Sequence, residues 1–170
     1  ESRFDLSLMS VGLALGGEQL WPEKGSIYGK VSYFDLTPYQ AIVPQLLRFE
    51  QAPRTWQAES MLRWKTGKNG MLKAMLQGSG SSLSLYQPDP DAGNAERKVS
   101  LDNGYLHFNI THQGLLADKW VIKSGVSFTA NSEDTRTSDG DILTDESGLH
   151  AKITARREWG KGVEMLAGAE

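Results

Sequence analysis

The chain has 170 residues, a net charge of −3 and no cysteine. This length allows one domain with a core, and the lack of cysteine excludes disulfide bridges and thiolate metal sites. The weakly negative charge, without a basic stripe, argues against a nucleic-acid partner, and no apolar run reaches the roughly 18 residues of a membrane-spanning helix.

Apolar and polar residues alternate with a period of two from the start of the chain, which indicates β-strands. Phe4, Leu6 and Leu8 share one face, and the alternation then slips by one residue near 9–12. Such a slip predicts a bulge or a very tight turn, because it moves every side chain to the other face. A second strand reaches Trp21, a short turn follows at 22–25, and a third strand covers 26–36.

The clearest alternation lies within 55–86, where two strands are joined by a Lys-Asn-Gly turn at 68–70. The first strand places five residues on one face: Trp56, Ala58, Ser60, Leu62 and Trp64. Eight steps between the two tryptophans correspond to about 26 Å along the strand, or about 20 Å if the strand is tilted by ~40°. That height is close to the apolar band of a membrane β-barrel, whose two borders carry aromatic residues.

Further strands are predicted at 104–113, 120–129 and 149–156, with a last one from 163 and short turns at 116–119 and 160–162. The long connections at 37–54, 87–103 and 131–146 are predicted to be outer loops. Four tryptophans adjoin short turns and one adjoins a long connection, which predicts five membrane-interface residues: Trp21, Trp64, Trp120, Trp159 and Trp56.

These patterns predict an all-β fold, an antiparallel up-and-down transmembrane β-barrel in which 1–170 form part of one barrel domain. About eight or nine strands are expected. The alternative is a soluble antiparallel meander with tryptophans in its core, although core tryptophans are expected in mid-strand rather than beside turns. In the barrel interpretation, charged residues opposite the apolar positions are predicted to face the lumen: Lys30, Glu59, Arg63, His107, Lys123, Lys152 and Arg156.

No catalytic, metal-binding or cofactor-binding motif is identified, so the chain is not predicted to be an enzyme and no cofactor is expected. The acidic residues of 131–146 include Asp139-Gly-Asp141, which is similar to a calcium turn. Their spacing does not match an EF-hand, and they are interpreted as solvated.

Ligand contacts are predicted instead in the first long connection, at Tyr39, Arg48, Phe49 and Arg54. Its apolar side chains are numerous for an exposed loop, and its arginines suit an anionic ligand. The alternatives are packing on neighbouring loops and arginine contacts with lipopolysaccharide phosphates.

Several segments resemble the early barrel strands of Bacteroidetes-type TonB-dependent outer-membrane receptors: RFDLSLMSVG, KGSIYGKVSYFDLTPYQAIVPQ, WKTGKNGMLK, SLYQPDPD and LADKWVIKSGVSFTANSED. The resemblance implies a 22-stranded barrel in the bacterial outer membrane, plugged by an N-terminal domain. It implies import of a siderophore, cobalamin or glycan with energy relayed by TonB. The implied partners are outer-membrane lipid and lipopolysaccharide, the imported ligand, the TonB complex through a plug, and other outer-membrane proteins. The lumen-facing residues would contact the plug or line the ligand pathway.

The chain departs from this family in having no identifiable plug or TonB-contacting segment, so a piece of a larger barrel is expected. The alternative is a complete small barrel of eight strands, passive or structural and without TonB coupling. The last predicted strand has only about eight residues where a spanning strand needs roughly 9–11, which favours the larger barrel.

Overall fold

The computed structural model describes residues 1–89, 95–116, 119–159 and 162–170, and these form one antiparallel β-sheet. Its nine strands are β1 (Ser2–Met9), β2 (Gly12–Trp21), β3 (Gly25–Asp35), β4 (Arg48–Lys65), β5 (Met71–Pro88), β6 (Glu96–Leu116), β7 (Trp120–Thr137), β8 (Gly140–Trp159) and β9 (Val163–Ala169). One helical turn, α1 (Thr37–Gln40), lies between β3 and β4. No helix in the described residues is long and apolar enough to cross a membrane.

The strands are arranged in sequence order, β1 to β9, and each is antiparallel to the next. The predicted all-β, up-and-down antiparallel topology is therefore confirmed. The predicted slip near 9–12 is a tight turn, because Met9 pairs directly with Gly12. Within the described residues the sheet is open, since β1 pairs only with β2 and β9 only with β8.

Strand register gives the sheet an apolar face and a polar face. The apolar face carries the alternate residues of β4 from Trp56 to Trp64 and every residue in register with them. Its members include one large apolar side chain from each of seven other strands: Leu6, Leu15, Val31, Leu76, Phe108, Phe128 and Leu149. The polar face carries the intervening residues, among them the charged side chains Lys30, Glu59, Arg63, Lys123 and Lys152.

Neither face is covered by a second layer of described residues. Among the described residues only Ala52, Gly78, Gly80 and Ser84 are buried. Ala52 and Ser84, 5% and 7% exposed, lie where the pairing of β4 with β5 is irregular, and the two glycines lie beneath the Trp56 ring. Phe108 remains 36% exposed and Leu149 74% exposed on the apolar face. A soluble sheet domain buries one face against another element, so this arrangement does not provide the core that a soluble meander needs.

The three long connections are shorter than predicted, and this corrects the boundaries 37–54, 87–103 and 131–146. Strand β4 already begins at 48 and β6 at 96, while β7 and β8 continue through 131–146 and turn at 138–139. Beyond the apolar band both faces carry polar residues, with Asn131 opposite Glu146 on one face and Ser132 opposite Asp145 on the other. The hydrophobic alternation therefore ends although backbone pairing continues. Three short segments lie outside the described residues: 90–94, 117–118 and 160–161. They include parts of the predicted loop 87–103 and of two predicted turns.

The short turns are staggered across the sheet. A row of direct register partners runs from Trp64 through His112 to Ile153. Strand β6 ends at Leu116, four residues beyond this row, and β8 ends at Trp159, six residues beyond it. From β2, which ends on this row at Trp21, to β8 the turns shift by six residues over six strand spacings, or about one residue (~3.3 Å) per spacing of ~4.8 Å. In a closed barrel such a stagger corresponds to strands tilted by about 35° from the axis.

Candidate functional site

Two tryptophans from neighbouring hairpins meet at the short-turn end of the apolar face. Trp21 of β2 and Trp64 of β4 both lie in register with Gly25 of β3. Their ring centroids are 5.8 Å apart with an interplanar angle of 70°, an edge-to-face contact across the glycine. A Cβ built on Gly25 would clash with the backbone carbonyl of Arg63, so glycine at this position allows the close approach of the β4 backbone.

A second tryptophan pair lies at the same end of the sheet. Because the short turns are staggered, Trp120 and Trp159 lie four and six residues beyond the register row of Trp64. The rings of Trp120 and Trp159 are 6.5 Å apart at 74°, and the guanidinium of Arg157 lies 5.5 Å and 4.7 Å from their centroids. With a stagger of one residue per strand, these rings and the first pair fall at one level to within about two residues. We call Trp21, Trp64, Trp120 and Trp159 the tryptophan layer. Its contact with a membrane interface stays a prediction.

The opposite border of the apolar band is formed by Trp56, which pairs with Tyr33. The indole of Trp56 lies over β5, where a Cβ built on Gly80 would be 2.4 Å from its Nε1 and one on Gly78 3.5 Å from its ring. These glycines allow the ring to lie flat on the sheet. Between this border and the tryptophan layer, the apolar face of the described strands carries a single Asp, Glu, Lys or Arg, which is Arg157 within the layer itself, between the Trp120 and Trp159 rings.

Charged residues appear on the same face immediately beyond Trp56. The Arg54 Nε lies 3.1 Å from the Asp35 Oδ2, and the Thr37 backbone N–H donates to Asp35 Oδ1 at 2.8 Å. Hydrogen bonds from the side chain and backbone of Thr37, with the nearby Arg54 charge, hold the pKa of Asp35 below its ordinary value. The border between apolar and charged side chains is therefore sharp on this face.

The acidic residues predicted to be solvated lie along the β7–β8 hairpin beyond that border. Asp134 is paired with Arg136, and Asp139 accepts a hydrogen bond from the Arg97 Nη1 at 3.2 Å. No group of three or more His, Cys, Asp or Glu residues in the described ranges could hold a metal ion.

The four predicted ligand-contact residues are not gathered in one outer loop. Tyr39 belongs to α1, whereas Arg48, Phe49 and Arg54 belong to β4, which corrects their placement. The reason is the same as for the loop boundaries: β4 continues to pair with β5 beyond the apolar band.

Both arginines of this predicted group already have acidic partners. Arg48 Nη1 lies 2.9 Å from Glu96 Oε2, and its guanidinium stacks 4.2 Å from the Tyr86 ring centroid. Arg54 is held by Asp35. These contacts weaken the case that the two arginines bind an anionic ligand, because their charges are largely neutralised within the sheet.

All seven residues predicted to face a lumen share the polar face of the sheet. Most are engaged in local contacts. Lys30 pairs in register with Glu59, and His107 Nδ1 lies 3.0 Å from Thr129 Oγ1. Lys152 Nζ donates to Glu170 at 2.7 Å. Their role in lining a lumen stays a prediction.

Two cations on this face stand opposite each other. Arg63 of β4 is in direct register with Lys73 of β5, and both line a groove of about 580 Å³ that extends to Lys123 and Lys152. The sequence prediction omitted Lys73. The alternation of β5 already placed it on the polar face, but only the register of the hairpin shows which residue it faces.

Comparison with protein-family models, with curated proteins and with solved structures finds nothing that matches this chain.

Proposed function

We propose that this chain forms part of the wall of a bacterial outer-membrane β-barrel of more than nine strands, which imports a specific ligand in a TonB-dependent manner. The observation that carries the proposal is the apolar band: an uncovered sheet face with aromatic residues at both borders, on which charged residues lie only at those borders or beyond them. Such a band is the lipid-facing surface of outer-membrane barrels.

The dimensions of the band support a membrane-spanning orientation. The eight residue steps from Trp56 to Trp64, reduced by a tilt of about 35°, give a height of about 22 Å. Outer-membrane barrels have an apolar band about 25 Å tall. The tilt needed to bring the tryptophan layer to one level is also within the range of barrel strands, typically 35–45°.

The open edges support a barrel of more than nine strands. The outer edges of β1 and β9 lie along the apolar band and have no partner among the described residues. Unpaired backbone N–H and C=O groups are not tolerated in hydrocarbon, so further strands must complete the sheet. Barrels much larger than eight strands enclose a lumen instead of a filled core, which suits passage of a solute along the polar face.

The energy-coupled import rests on the resemblance to TonB-dependent receptors in the segments given above. The second candidate is a passive or structural barrel. It shares the apolar band and differs in needing no TonB.

Cysteine labelling tests the orientation directly, because the chain has no cysteine of its own. Leu62 and Met61 are neighbours on opposite faces. In intact outer membranes, Leu62→Cys should react with a bilayer-soluble maleimide and resist a water-soluble one until the membrane is dissolved. Met61→Cys, the matched control, should not react with the bilayer-soluble reagent. Rapid labelling of Leu62→Cys by the water-soluble reagent would show that this face does not contact lipid.

Transport assays separate the two candidate functions. Cells that express the native protein should bind and accumulate one member of a panel of labelled ferric siderophores, cobalamin and glycans. Deleting TonB should abolish accumulation and leave surface binding intact. Accumulation that persists without TonB would identify a passive barrel.

A further inference from the structure

Four cationic side chains border one groove on the polar face. Arg63 lies on β4, Lys73 on β5, Lys123 on β7 and Lys152 on β8, around a volume of about 580 Å³. No Asp or Glu is among the described residues that line it. The groove lies towards the short-turn end, at the depth of the apolar band on the opposite face.

Small residues form the floor between these cations. The register places Lys73, Thr111, Gly125 and Lys152 in one row across four neighbouring strands. Thr111 and Gly125 leave a depression, and three strand spacings separate the backbones of Lys73 and Lys152 by about 14 Å. Lysine side chains reaching inward from both sides can meet one small solute in that gap.

The charge of this groove is largely uncompensated. Arg63 and Lys73 are directly opposite each other, and like charges in that position destabilise a sheet. Arg63, Lys73 and Lys123 form no ion pair with any residue in the described parts of the chain, and Lys152 alone contacts a carboxylate, that of Glu170. Some other cations of the polar face do have acidic partners. Arg156, for example, lies 2.8 Å from Glu164.

We infer that this groove binds a small polyvalent anion carrying phosphate or carboxylate groups, as the ligand itself or as part of it. Arginine and lysine hydrogen bonds to such groups are charge-assisted, and a bound anion would offset the repulsion between Arg63 and Lys73. The groove volume lies within the range of small-molecule sites, which favours a small anion over an acidic protein segment. The inference rests on the proposed function, which makes this face the wall of a lumen that solutes enter.

Calorimetric titration with inorganic pyrophosphate tests the inference on the native protein, purified in detergent at low salt. The double substitution Arg63→Gln with Lys73→Gln should weaken pyrophosphate binding at least about tenfold, because two charge-assisted contacts are lost. Lys24→Gln with Lys68→Gln is the control. It removes the same two positive charges from exposed short turns outside the groove, and it should change the affinity less than about twofold.

Absence of saturable pyrophosphate binding by the native protein would overturn the inference, and so would equal affinity of the double variant and the control. An acidic protein segment that occupies the groove would block pyrophosphate and count against the inference in the same way. The labelling of Leu62→Cys is an independent measurement. Lipid-facing labelling without pyrophosphate binding would refute the anion groove alone, whereas water-accessible labelling would refute the membrane orientation.

Discussion

An arginine in the middle of the apolar band should be far more costly than one at either border. Strand β6 offers three positions on the apolar face: Leu106, Ile110 and Leu116. Ile110 lies four residues from Leu106 and six from Leu116. With ~3.3 Å per residue and a tilt of about 35°, these separations correspond to about 11 Å and 16 Å of depth. Ile110 is therefore near the midplane, and the other two are near the borders.

Arginine at the midplane of a membrane barrel costs about 2–4 kcal/mol, and near the interface about 0–1 kcal/mol. We therefore expect Ile110→Arg to lower the free energy of unfolding by about 2–4 kcal/mol and Leu106→Arg or Leu116→Arg by about 1 kcal/mol or less. Asn109→Arg is the matched control on the polar face, opposite the uncharged Met75 and Ser127, and should change it by at most about 0.5 kcal/mol.

Denaturant unfolding of the native protein in lipid vesicles, followed by tryptophan emission, gives these free energies. A soluble sheet has no reason to grade the cost by distance from two aromatic borders. Equal costs at Leu106, Ile110 and Leu116, or a cost for Asn109→Arg as large as for Ile110→Arg, would refute the membrane orientation.

Two further predictions concern the borders of the band. All five tryptophans lie at one border or the other. Lipids brominated close to the headgroup should therefore quench the protein's fluorescence more than lipids brominated at the acyl-chain end. Stronger quenching by the deep label would contradict the aromatic borders. Asp35 lies beyond the band, and its pKa is lowered in the folded state. Its carboxylate therefore stabilises the folded state at neutral pH. This contribution is lost as the pH falls below about 4 and through the folded-state pKa. Asp35→Asn should therefore flatten the loss of unfolding free energy on acidification, and identical acid profiles of the two proteins would show that the contacts with Thr37 and Arg54 contribute nothing.

The sequence by itself determined which residues form the apolar band and which face they share. The alternation from Trp56 to Trp64 is decisive because lipid or a core on one side and water on the other impose a period of two on the side chains. The same pattern placed the seven residues predicted to face a lumen together on one face of the sheet, where the register also has them, and the turns predicted beside the tryptophans explain why four of those rings lie at one end.

The tertiary structure decided where the strands end and which residues oppose one another. Hydrophobic alternation vanishes beyond Trp56, because both faces carry polar residues there, yet backbone hydrogen bonds continue the hairpins as far as Pro88 and Thr137. For that reason Arg48 and Arg54 could not be assigned to a strand, or to their partners Glu96 and Asp35, from composition alone.

The register between strands decided which residues oppose one another and how the turns are staggered. The pattern of each strand fixes the face on which Arg63 or Lys73 lies. Whether the two residues stand opposite each other depends on the length and geometry of the turn between β4 and β5. The stagger of about one residue per strand likewise arises from pairing between strands and leaves no trace in any one of them. The sequence therefore determined the two surfaces of this sheet, and only pairing across the sheet brought the groove cations together.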